Sequence, residues 1–156
     1  MTQSLQALLA EWQVTRSIIL GFLEELSDAD LDKPLPRKVL NTIRLQAYEL
    51  TLFQRAIVNS LSTKSVDFDE DDEYKNLPTK EIIHIMTTLD KELEQALATL
   101  DGTETIHIFG DGQNVHQIIA TLIGHETMHI GQIIAFCYAT GIPVPEEITE
   151  SMALEG

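Results

Sequence analysis

Proline stands at only three places in this chain: at Pro34 and Pro36, at Pro78, and at Pro143 with Pro145. A proline inside a helix removes a backbone hydrogen bond and clashes with the preceding turn, so the long proline-free stretches are where helices can run. Each of those stretches carries apolar residues every three or four positions. From Leu5 to Leu26 they are Leu5, Leu8, Leu9, Trp12, Ile19, Phe22, Leu23 and Leu26, which is one face of a helix. The segment SDADLDKPLPRK breaks that pattern. A second helix begins at Asn41 or Thr42, either of which can cap it, and carries Ile43, Ala47, Leu50, Phe53 and Ile57 to an end near Leu61. A third starts near Pro78, a favoured first-turn residue, and carries Ile82, Ile85, Met86, Leu89, Leu93 and Leu97. The fourth runs from about Asn114 to Thr140. Its apolar stripe is Val115, Ile118, Ile119, Leu122, Met128, Ile133 and Phe136, and Gly141 with Pro143 ends it. A last short turn fits in IPVPEEITESMALEG.

The pattern predicts an all-α four-helix bundle, with one long connection between the second and third helices. A single domain over residues 1–156 is expected, since a chain of this length can bury about 70% of its unfolded surface. The long connection contains an acidic run, Asp67 to Glu73, which reads as a solvated loop. It lacks the D-x-[DN]-x-[DN]-G order and the downstream Glu of a calcium loop. In DGTETIHIFGDGQN the alternation at Ile106, His107 and Ile108 suggests a short extended piece, with no evident partner strand.

Charge narrows the partners. Ten Lys and Arg stand against 25 Asp and Glu, a net charge of −15. Such a chain is repelled by nucleic-acid phosphates and by anionic membrane surfaces, and both are discounted. No apolar stretch reaches the ~18 residues a membrane span needs. The opening MTQSLQALLAEW lacks the basic n-region and cleavage site of a secretory signal, so a cytoplasmic protein is expected. The lone cysteine, Cys137 in IIAFCYA, can form no disulfide within the chain and reads as a small buried hydrophobe.

The chemistry is concentrated in HETMHIGQI, residues 125–133. His125 and His129 lie four apart on the fourth helix, one turn apart on the same face. Two imidazoles so placed can share one divalent metal ion, each giving a neutral nitrogen. At 100° per residue both fall on or beside the apolar face, so they point toward the bundle interior or its mouth. H-E-x-x-H is also the zinc-peptidase signature. However, the metzincin continuation H-x-x-G-x-x-H is missing, and only a short tail with Glu146, Glu147 and Glu150 follows. Glu126 turns about 100° from His125 and reads as solvated surface, with a general base or ligand-supporting acceptor as the alternative. Gln132 can orient a ligand or water, and Gly131 can admit a neighbouring helix. His116 falls half a turn from His125, and His84 and His107 have no partner at ligand spacing.

The H-x-x-x-H-x-G-Q run resembles the DinB/YfiT-like superfamily of metalloenzymes. The flanking GQNVHQIIATLIG and AFCYATGIPVP, and the start with Trp12 leading into LEELSDADLDKPLP, are similar too, so the likeness covers nearly the whole chain. The resemblance implies a four-helix bundle, often homodimeric, holding a metal on three side chains. Two of these would be His125 and His129. The third is usually a histidine early in the second helix, but no histidine lies between Met1 and Ile83. The slot falls at Tyr48 when counted from Asn41 as cap. It falls at Glu49 when counted from the apolar residues Leu50, Ala56 and Ile57, and carboxylate chemistry favours Glu49. The metal expected is zinc, nickel or iron. The reaction implied is a metal-dependent thiol S-transfer or hydrolysis of a small molecule. The alternatives are a non-enzymatic dimeric bundle, a binding or stress-response module whose metal site is degenerate or empty, and thirdly an H-E-x-x-H zinc peptidase.

Overall fold

A computed structural model describes residues 1–68 and 75–154. Residues 69–73 of the predicted acidic loop lie outside them. The described residues form α1 (Gln3–Glu25), α2 (Asp28–Leu31), α3 (Ile43–Thr63), α4 (Thr79–Ala98), β1 (Thr105–Ile108), β2 (Asp111–Asn114), α5 (Val115–Thr140) and α6 (Glu146–Ser151). The four long helices α1, α3, α4 and α5 are those the apolar spacing predicts, and they build the bundle.

The helix ends follow capping chemistry. Thr42 caps α3 by accepting a hydrogen bond from the Leu45 N–H. Asn114 and Gln117 form a reciprocal capping box at the start of α5, and Gly141, at φ 68°, takes the left-handed conformation that ends it. Pro78 precedes α4 as its N-cap and is not inside it. The orphan Thr79 N–H there is met from outside, by Asp28 Oδ1 at 3.3 Å. The broken segment after α1 holds the short helix α2, and its Asp28 and the following Asp32 clasp the buried Arg44 guanidinium.

Packing sets the topology. α1 lies against α4 and α5, and α3 lies against the same two, so α1 and α3 occupy opposite corners. One hydrophobic cluster draws on the N-terminal halves of α1 and α5 and the C-terminal halves of α3 and α4. The other draws on the opposite halves. Hence α1 and α5 run one way and α3 and α4 the other. Two consecutive parallel helices of about 30 Å require a connection that returns the chain along the bundle, which is why the α3–α4 link is long.

β1 and β2 pair in an antiparallel hairpin, Thr105 opposite Asn114 through Ile108 opposite Asp111. The extended piece at Ile106–Ile108 therefore does have a partner. DGQN shows no strand pattern because none of its residues enters the core. It is held in register by a two-residue turn in which Phe109 and Gly110 both have positive φ, 50° and 89°. Ile106 and Ile108 point into the core, and His107 joins the end of α3 through a bridge to Ser65.

Between the two hydrophobic clusters lies a polar layer to which every long helix contributes one residue: Arg16, Gln54, Asp90 and Glu126. Arg16 Nη2 donates to Gln54 Oε1 at 2.8 Å and to Glu126 Oε1 at 2.6 Å. Gln54 Nε2 donates to Asp90 Oδ1 at 2.7 Å, and Trp12 Nε1 donates to Glu126 Oε1 at 2.9 Å.

Candidate metal centre

At the edge of this layer, where α3 faces α5, stand Glu49, His125 and His129. Their arrangement follows from helix geometry. Glu49 precedes Leu50 of the core stripe, so it sits on the flank of α3 turned toward α5. His125 and His129 project from adjacent turns of α5, with ring centroids 4.6 Å apart and planes at 61°. Glu49 Oε1 lies 3.2 Å from His125 Nε2, and Oε2 lies 2.6 Å from His129 Nε2. One ligand atom from each of the three lies within 4.8 Å of the others. Of the two positions left open for the slot on α3, the structure brings Glu49 to the histidines. Tyr48 is buried beneath Lys75, whose Nζ sits 5.8 Å from its ring centroid.

The contacts within the site satisfy only part of it: His125 Nε2 and Glu49 Oε1 are hydrogen-bonded, but the second pair is not. Glu49 Oε2 and His129 Nε2 touch, yet the approach lacks hydrogen-bond geometry, and neither buried atom has a hydrogen bond among the described residues. Burying such atoms unpaired is costly. A divalent cation, for which an imidazole lone pair and a carboxylate oxygen are ordinary ligands, fits the donor set. Burial would raise the Glu49 carboxyl, but the close approach of the two imidazoles, with a hydrogen bond between His125 and Glu49 Oε1, outweighs it and holds the group at about 2, in its ionised form.

Gln46, one turn before Glu49, fixes the tautomer of His129. Its Nε2 donates to Leu40 O at 2.9 Å and to Gln132 Oε1 at 3.3 Å. Its carbonyl oxygen is thereby turned to His129 Nδ1. An acceptor there places the proton on Nδ1 and leaves the lone pair on Nε2, facing Glu49. Gln132, expected to orient a ligand or water directly, acts at one remove: its Oε1 takes hydrogen bonds from Gln46 and from Arg37 Nη1. On the other side, Phe53 stacks on the His125 ring at 3.9 Å and 16°. The His125 side chain is 14% exposed and Glu49 33%, whereas His129 is enclosed, so the site opens on the Glu49 side.

Three residues depart from the sequence reading, and a fourth functional residue gave no local signal. Glu126 is fully buried and is not solvated surface. Glu126 lies in line with Leu122 and Ile133 on the apolar stripe of α5, where that stripe packs against α1 and meets Trp12 and Arg16. Burial pushes the Glu126 carboxyl up to about 7, against the opposing pull of Arg16 and Trp12. Held by those two, it is not free to serve as the base of an H-E-x-x-H peptidase. Met128, placed in the stripe by its spacing, is 51% exposed. Gly131 is exposed, with nothing of the described chain close enough to use its missing side chain. Gln46 was not singled out, because its role depends on the partner across the helix interface.

The remaining histidines stand apart, as their spacing indicates. His116 contacts Ser4 Oγ at 2.7 Å and Gly102 O at 3.1 Å, joining the first helix to the hairpin end. His84 and His107 are exposed. Cys137 is buried, and burial raises its thiol to about 11. No helix among the described residues is long and apolar enough to cross a membrane.

A family model described as the DinB family matches residues 1–148. No curated protein matches the chain.

Proposed function

We propose, since this chain belongs to the DinB family, that Glu49, His125 and His129 hold one divalent metal ion in support of a thiol S-transfer or hydrolysis on a small molecule. The observation that carries this reading is the convergence of Glu49 Oε2 and His129 Nε2 without a hydrogen bond between them. Two imidazoles and one carboxylate are compatible with zinc, nickel or iron and leave coordination positions for water and substrate. The ion would supply Lewis acidity that lowers the pKa of a thiol or a water. The chain's own residues do the rest. Gln46 keeps the His129 lone pair aimed at the site, Phe53 restrains the His125 ring, and Glu49 brings a negative charge to the open side. A homodimeric, cytoplasmic state is part of the same proposal.

A second reading is favoured by the same short distances. The Glu49 carboxylate touches both imidazoles and can bind them as an ordinary ion pair when they are protonated, in a bundle that is not an enzyme. Metal analysis of protein purified without a histidine tag separates the two. About one ion per chain, lost in His129→Ala, supports the metal centre. Content far below that, unchanged by the substitution, rejects it.

A further inference from the structure

We infer that the open side of the site receives a substrate bearing an apolar ring, seated along a column of stacked aromatic side chains. This rests on the metal-centre reading above and adds the class of substrate.

The column begins at a proposed ligand. His125 stacks on Phe53, with centroids 3.9 Å apart. Phe53 stacks on Phe68 at 5.5 Å and 27°, and Phe68 on Phe109 at 5.4 Å and 23°. The four rings come from α5, α3, the segment after α3, and the tip of the β1–β2 hairpin. Exposure rises outward: Phe53 is half-buried, Phe68 is 37% exposed and Phe109 is 85% exposed.

Phe109 is the informative residue. It occupies the first turn position of a two-residue hairpin with φ 50°, where asparagine, aspartate or glycine is favoured and a bulky side chain is a conformational outlier. It also leaves an aromatic ring in water, and it belongs to neither hydrophobic cluster. Backbone conformation and hydration both disfavour phenylalanine here. The contact it gains is the outer end of a column that leads to His125. An outlier of this kind at the rim of a site is a pointer to ligand contact. The rings inside a stack offer their edges to solvent, and an aromatic edge attracts the face of another ring. A flat apolar group extending from the metal centre would therefore lie against Phe53 and Phe68.

The test is calorimetric titration of zinc-loaded protein with three hydroxamates that share one metal-binding group: acetohydroxamate, benzohydroxamate and 4-phenylbenzohydroxamate. Each added ring should tighten binding by about fivefold or more. The gain should be lost in Phe68→Ser and reduced in Phe109→Asn, with acetohydroxamate binding unchanged in both. Phe109→Asn places a favoured residue in the turn, so loss of folding cannot account for its effect. Equal affinity for all three compounds overturns the inference and leaves the metal centre standing. Failure of the protein to retain zinc, nickel or iron overturns both, whereas a metal-loaded protein that binds no hydroxamate overturns the inference alone. If Phe109→Asn instead converts a dimer to a monomer, with the ring-dependent gain intact, the column is a contact between copies and the inference falls.

Discussion

His129 and Gln46 form a closed pair in the core: the imidazole Nδ1 meets the amide oxygen, and the amide nitrogen is committed to Leu40 O and Gln132 Oε1. The amide cannot turn over without losing both of those bonds, so the tautomer of His129 is set before any ligand arrives.

Gln46→Leu removes that acceptor. Metal affinity should fall by about 10- to 100-fold. Gln46→Glu, which retains an oxygen at that point, should recover a substantial part of the loss. Competition with a chromogenic chelator measures both, and equal affinity in wild type and Gln46→Leu would show that Gln46 only fills space.

Glu49→Ala tests the third ligand. The wild-type chain should gain thermal stability on addition of zinc, because a ligand that binds only the folded state stabilises it. Glu49→Ala should show little or no such gain. Equal zinc-induced shifts in melting temperature would place the ion elsewhere or show that two histidines suffice.

The polar layer should be sensitive to removal of one charge. Arg16→Met leaves Glu126 buried with Trp12 as its remaining hydrogen-bond partner; its carboxyl, already pushed up to about 7, then takes up a proton, and urea unfolding at pH 7 should show a loss of about 1–3 kcal/mol that grows as pH rises. Arg16→Met combined with Glu126→Leu, which removes both charges, should be the more stable of the two variants. If the double variant is the weaker, the pair contributes more than it costs to bury.

Acid should loosen the α2–α4 junction. The Asp28 carboxyl is lowered from 3.8 to about 2, first by the Thr79 hydroxyl hydrogen bond, then by Arg44 and by the Thr79 N–H. A folded-state value below the ordinary one means stability present above about pH 4 and lost as pH falls toward 2. The Glu49 carboxyl is also held at about 2, and its contribution has the same sign. Asp28→Asn should flatten the fall of the urea midpoint between pH 4 and pH 2. Parallel curves for wild type and variant would remove Asp28 as a contributor.

The bundle was legible because each long helix keeps an apolar stripe between well-placed breakers. The long α3–α4 connection was legible for the same reason, although its cause, two consecutive parallel helices, needed the packing. The histidine pair could be read because i and i+4 spacing is local. Glu49 was separated from Tyr48 by one residue of phase. Counting from Asn41 points to Tyr48, and the observed cap is Thr42, which shifts the count to Glu49. What stayed hidden depends on partners distant in sequence: the Gln46 amide, the hairpin strand DGQN, and the burial of Glu126. A signal for the last was present. Arg16 falls between Trp12 and Ile19, Gln54 between Leu50 and Ile57, Asp90 between Met86 and Leu93, and Glu126 between Leu122 and Ile130. One polar residue interrupts each stripe at mid-length.

That coincidence of heights has a mechanical meaning. Were α5 to slide one turn along its neighbours, a carboxylate would enter hydrocarbon and a guanidinium would lose its counter-ion, whereas leucine on leucine would tolerate the slip. The layer works as a detent, and the level it locks is the one at which a side chain on α3 meets two on α5. A variant with the whole layer made aliphatic should melt later and chelate worse.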